Sequence, residues 1–233
     1  MPADQLPLSI PGEPGRRLPA RVRPMQPTAI DAPFDDPAYL FEPWWPGVRA
    51  VAFVERGRLR LQAEGLADAL DAVPELRPLP AQLRSDGVVL DGMLLVLDRR
   101  GRPDAGLLRR RLAAPRALHR PGRAAFVASD LLWIDGASIS RRPFRARRRQ
   151  LEQVVGDGEV VAVAHAYPTE GTLVAEALVE LGVEVLSARR LGARYRSGSG
   201  GDAWLRAPVS APVSPDGARR PALALLQRLP FER

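Results

Sequence analysis

The 233-residue chain contains no cysteine, which excludes disulfides and cysteine-ligated metal. Its two histidines, His119 and His165, are too few for a histidine-based metal site. There is no lysine either, and all 34 basic residues are arginine. A GC-rich genome explains such a bias, since it favours arginine codons along with those for Ala, Gly and Pro. Whatever its origin, it rules out a lysine nucleophile or Schiff base in this chain. No apolar run approaches the roughly 18 residues of a membrane span, and the N-terminus lacks a basic-then-apolar leader. A cytoplasmic location is therefore expected.

What is present suits one domain of ordinary size with tails. Hydrophobic residues make up 45% of the chain, enough for a real core. A net charge of +7 points to a polyanionic partner, nucleic acid or an acidic surface. Residues 1–23 and 209–233 are rich in Pro, Gly and Arg without periodicity and read as tails, the second with a short helix at "ALALLQRL".

Between them, strand signals dominate the first half. "VRAVAFVE" (48–55) and "RLRLQ" (58–62) flank Arg56-Gly57 as a hairpin. Spacing at Leu66, Leu70 and Val73 predicts a helix over 65–73, stopped by Pro74. Residues 87–104 predict a strand, a kink at Asp91-Gly92, a second strand and a turn, and 124–136 predict strand, turn and strand. Helices are predicted after Gly106, broken near Pro115, over 142–155 with Pro143 in the first turn, and over 170–182 closed by Gly182. Strands are predicted at 159–167 and 183–190. Frequent hairpins favour an α+β fold with mostly antiparallel sheets flanked by helices.

Five short segments stand in order: "FEPWWPGVRA", "VVLDGMLLVLDRRGRPD", "FVASDLLWIDG", "RRPFRARRRQLEQVV" and "LGVEVLSARRLGARYRSG…DAWLR". Together they resemble the adenylation domain of ATP-dependent DNA ligases, especially the bacterial end-joining type. The resemblance covers about residues 24–206 and implies an adenylation-like domain over 24–208, with DNA and DNA-repair proteins as partners. In that family a motif lysine attacks the ATP α-phosphate, an acidic residue helps hold Mg²⁺, an aromatic stacks on adenine, and later lysines bind phosphate.

The resemblance places Trp44 at the nucleophile position, Pro46 at the motif aspartate, Met93 at the acidic metal position and Ser129 at the adenine-stacking position. Ala63 stands where an arginine is expected, and Arg189 and Arg206 replace the phosphate-binding lysines. Guanidinium stays protonated and cannot act as the nucleophile. Histidine adenylation is conceivable only at His119 or His165, and a lone histidine in "VAVAHAY" reads as a packed strand residue. The expectation is a catalytically degenerate ligase-like protein of DNA repair and recombination ancestry, using no ATP or Mg²⁺ of its own.

Glu42, Gly47, Arg49, Asp91, Gly92, Asp130, Glu184 and Trp204 survive from the family pattern. Glu42, Arg49, Glu184, Arg189 and Arg206 are expected to line a vestigial nucleotide cleft, Arg49 and Glu184 as ion-pair partners. A residual nucleotide sensor built on Arg49, Arg189 and Arg206 is the variant reading. Trp44 fills or caps the old pocket, either as plain packing or as a platform for a base. "RRPFRARRR" (141–149) holds six arginines, of which Arg145, Arg148 and Arg149 share a helix side. With Arg141 and Arg142 they are candidates for sequence-independent DNA binding, and 109–123 is basic as well. The alternative is a protein-interaction scaffold whose arginines only solubilise. Only some 25 residues follow Arg206, without the patterning of the oligonucleotide-binding barrel that a full ligase carries.

Overall fold

A computed structural model describes residues 17–209. In chain order its elements are β1 (Met25–Gln26), β2 (Thr28–Ala29), β3 (Asp36–Pro43), β4 (Val48–Glu55), β5 (Arg58–Ala63), β6 (Val88–Leu97), α1 (Ala105–Ala113), β7 (Arg123–Ile134), β8 (Ala137–Ser138) and α2 (Phe144–Val154). There follow β9 (Val161–Val163), β10 (Tyr167–Thr169), α3 (Gly171–Glu180), β11 (Val185–Arg190), β12 (Gly198–Ser199) and β13 (Trp204–Pro208). The first sheet runs β5-β4-β6-β7-β8, with β9 added beside β7, and the second runs β10-β3-β11-β13-β2. Every pairing is antiparallel except β1–β12, β2–β13 and β7–β9, so the α+β expectation holds.

β6 lies at the centre of the first sheet and is buried along its whole length. Leu90, Leu94 and Val96 face a cluster with Leu108 of α1 and Leu151 and Val154 of α2. Met93, Leu95 and Leu97 face the other way, toward Phe41, Leu186 and Ala188 of the second sheet and Val174 and Leu178 of α3. Alternation by two thus serves two cores, which is why the strand reads as one apolar run.

The hairpin at 48–62 forms as expected, with Arg56 at φ 53° and Gly57 at φ 70°, and Asp135-Gly136 repeats this turn between β7 and β8. Residues 88–97 and 123–134 each form one strand rather than two. Asp91 pairs with Asp130 but Gly92 pairs with Ala128, so Ser129 is bulged out of the ladder. The register of the ladder shifts at the Asp91-Gly92 step, where the sequence predicts a kink.

No helix forms over 65–73. Asp68 Oδ1 accepts from the amides of Leu61 and Leu70, and Ala69 N donates to Leu61 O, folding the segment back on β5. The strand expected at 159–167 is split into β9 and β10. No strand is expected at β3 or β13, yet the second sheet is built on them.

Part of the expected N-terminal tail is pinned. Gln62 exchanges hydrogen bonds with both backbone groups of Val22, and Arg60 donates to Pro19 O. Residues 1–16 and 210–233, with the expected terminal helix, lie outside the described residues. Among the described residues no helix is long and apolar enough to cross a membrane.

Candidate functional site

The two sheets meet over a cluster of charged side chains that are almost wholly buried. Glu42 comes from β3, Asp91 from β6, Asp130 from the β7 bulge and Arg189 from β11, each at most 2% exposed. α2 adds Arg147 and Arg148, and β4 adds Arg49. Four guanidiniums therefore face three carboxylates.

Arg147 binds Asp130 bidentately, Nε to Oδ1 at 2.8 Å and Nη2 to Oδ2 at 2.9 Å, and Arg189 Nη2 donates to the same Oδ2. Arg49 grips both oxygens of Asp91. The Tyr195 hydroxyl donates to Asp91 Oδ2 at 2.6 Å and accepts from Met25 N at 2.8 Å. Arg148 donates to Glu42 Oε1 at 2.7 Å, to Glu152 Oε1 at 2.8 Å and to Ala164 O. Charge pairing and hydrogen bonding together offset the desolvation that makes isolated buried charges so unfavourable.

Burial pushes the Glu42 carboxyl above the usual range, against the pull of Arg148. Burial and then Asp91 push the Tyr195 phenol up as well, so it stays a hydrogen-bond donor. Desolvation pulls the Arg49 pKa down most strongly, but Asp91, Tyr195 and Asp130 together more than offset it and leave it raised.

Trp204 roofs this cluster. Its indole Nε1 donates to Ser187 Oγ at 2.8 Å, and the guanidinium carbons of Arg49 and Arg189 lie 4.2 and 4.3 Å from its ring centroid. Trp44 leans on it at 5.5 Å between ring centroids and 38° between planes. Of the two adjacent tryptophans it is Trp45 that is buried, a contribution of about 1.5–3 kcal/mol, whereas Trp44 stays partly exposed at the rim.

Three of the five expected cleft residues, Glu42, Arg49 and Arg189, converge here. Glu184 does not: it is exposed in the turn before β11, and Arg49 pairs with Asp91 instead. Arg206 is exposed on β13, opposite Ser187, so the expected trio of Arg49, Arg189 and Arg206 is not assembled. Pro46 is exposed, Met93 is buried in the apolar cluster, Ser129 is the bulged residue, and Ala63 is buried beside Ala50.

His119 is exposed. His165 is exposed after β9 rather than packed within a strand, and partial desolvation followed by the nearby Arg148 lowers its pKa.

Arg148 must be removed from the expected DNA-binding stripe, because it is buried and points at Glu42. Arg141, Arg142, Arg145 and Arg149 are exposed. In the second basic stretch Arg111 also turns inward, pairing with Glu75 and capping the carbonyls of Arg120, Pro121 and Gly122. Sequence reasoning missed Arg147 and Tyr195. The signal for Arg147 was its position three residues after Phe144 on the apolar side of α2.

The donor set does not fit a nucleotide held through Mg²⁺. Mg²⁺ requires oxygen ligands, and the position expected to supply one carries the Met93 thioether. The carboxylates of Asp91 and Asp130 are taken by arginines, and among the described residues no three His, Asp or Glu side chains group to hold a metal.

The family profile described as "ATP dependent DNA ligase domain" matches residues 26–207. The chain is 29% identical over 168 residues to the multifunctional non-homologous end joining protein LigD of Mycolicibacterium smegmatis, covering 72% of this chain and 21% of that protein. It is 31% identical over 173 residues to a probable DNA ligase of Streptomyces griseus, covering 69% and 34%. It thus spans about a fifth to a third of the length of these curated relatives. Among solved structures, mycobacterial DNA ligase D complexed with ATP and MES superposes with a TM-score of 0.69 at 26% identity, covering 81% of this chain and 60% of that one. The ligase domain of Mycobacterium tuberculosis LigD gives 0.66 at 26% identity, covering 80% and 59%. With profile, relatives and fold in agreement, the chain belongs to the ATP-dependent DNA ligase family, as an adenylation domain of the bacterial end-joining type.

Proposed function

We propose that this domain is catalytically degenerate: it keeps the ligase fold, forms no lysyl-adenylate, and binds DNA without reading its sequence. The observation that carries the proposal is the residue at the nucleophile position. The resemblance puts Trp44 there, tilted against Trp204, in a chain without a single lysine. An indole offers no free lone pair to attack an α-phosphate, and arginine, protonated to pH 12 and above, does not substitute for lysine. Met93 and the arginine-bound carboxylates support the same reading from the metal side.

DNA binding is proposed from family membership and from the exposed arginines at 141, 142, 145 and 149. Incubation with radiolabelled ATP and Mg²⁺ or Mn²⁺, followed by a denaturing gel, is expected to leave the protein unlabelled. Binding to intact, nicked and blunt-ended duplex across a salt series tests the DNA half. A linear fall of log affinity with log salt supports phosphate contact. No binding at low salt contradicts it and leaves the interaction-scaffold reading standing.

A further inference from the structure

Three chain segments that carry exposed arginines meet beside the cluster that holds Trp44 and Trp204. The turn into α2 and its first residues carry Arg141, Arg142 and Arg145, the loop after β11 carries Arg194 and Arg196, and the segment before β1 carries Arg23. Backbone hydrogen bonds lock the segments together. Phe144 N donates to Ala193 O at 2.8 Å, Arg145 N to Leu191 O at 2.9 Å, Tyr195 N to Ser140 O at 2.9 Å and Gly198 N to Pro24 O at 3.2 Å. The Arg23 guanidinium lies against Gly198, where an added Cβ would come within 3.1 Å of it. Ala193 and Tyr195, from the arginine-bearing loop, pack with Trp44 around Met25, Ala203 and Trp204. A partly exposed indole therefore shares a cluster with the arginine-bearing loop after β11, to which the other two arginine-bearing segments are tied by backbone hydrogen bonds.

The geometry points to a binding site for an unpaired DNA strand, such as a single-stranded overhang, with Trp44 stacking on a base and these arginines following the phosphates. This rests on the DNA-binding reading proposed above. Along its length a duplex buries the faces of its bases in its own stack, so away from its ends it offers the arginines phosphates and leaves the indole nothing to stack on. An unpaired strand offers both, and base–aromatic stacking is indifferent to sequence.

The test is fluorescence titration of the whole chain with a short oligo-dT strand and, at matched nucleotide concentration, with a relaxed closed circular duplex, which exposes no terminal base pair. Oligo-dT is expected to bind more tightly and to quench tryptophan emission. Trp44→Leu is expected to weaken strand binding about five-fold or more and to leave duplex binding unchanged. Trp44→Phe, which keeps a ring, retains most of the affinity and loses the quench. This variant keeps the inference testable should Trp44→Leu fail to fold. Arg194→Ala with Arg196→Ala weakens both ligands and reduces the strand's log–log salt slope by about 0.7 per arginine. If the duplex binds as well as the strand, or the strand binds Trp44→Leu as it does the wild type, the stacking site is refuted while DNA binding stands. If neither ligand binds at low salt, both readings fall.

Discussion

Asp130 accepts from two guanidiniums while fully buried, so its removal strands both. Asp130→Ala is expected to cost about 3–5 kcal/mol in urea unfolding, since the uncompensated charges remain inside. A loss below about 1 kcal/mol, the range of exposed pairs, would show that the cluster is not a buried network. His165 offers a pH test. Its folded-state pKa is lowered, so the folded protein binds its proton less readily than the unfolded chain does. Its contribution is fully present above the ordinary value near 6.5 and is lost as pH falls through the folded value. Glu42 acts in the opposite sense. Its raised pKa makes the folded form hold the proton more tightly, so stability falls as pH rises from the ordinary carboxylate value to the raised one. Comparing wild type with His165→Gln cancels the Glu42 effect. The variant's stability profile should be flatter just below pH 6.5, and identical profiles would contradict the assignment.

At the scale of elements, the join between β6 and β7 decides where the acidic residues point. An added Cβ on Gly92 would come within 2.1 Å of Val127 O, which is backbone and cannot swing away. Gly92→Ala is therefore expected to destabilise the domain by about 1–3 kcal/mol, the range for overpacking, measured by thermal unfolding. A neutral variant would mean the bulge relaxes freely. This join also marks how far the sequence was legible. Local signals were enough for the Arg56-Gly57 hairpin and the helix closed by Gly182 at φ 68°, but they broke β6 and β7 into two strands each where the structure has one. They failed where tertiary contacts decide: Asp68 captures two amides and prevents the helix at 65–73. The candidate site was legible as a set of residue types, from the motif order. Its pairing was not, because the burial of Arg147 and Arg148 depends on carboxylates at least 17 residues away along the chain.

Across the whole molecule, a family fold surrounds a site whose charges answer one another. Carboxylates and guanidiniums fill the space between the sheets, and Trp204 and Trp44 close it at the rim. The excess positive charge is carried on the outside, on exposed arginines suited to a polyanion. Removing surface arginines such as Arg141 and Arg145 should weaken duplex binding alike for every sequence and lower the salt slope by about 0.9 per contact. Retained affinity in that double variant would place the contact elsewhere. The central claim is that the fold has been kept while the nucleophilic chemistry has been lost. It is tested most directly by incubating the folded protein with α-labelled ATP and divalent metal and following covalent label through denaturation. Absence of label from a protein that melts cooperatively agrees with the account. Stable label on any residue would contradict it and would identify a nucleophile other than lysine.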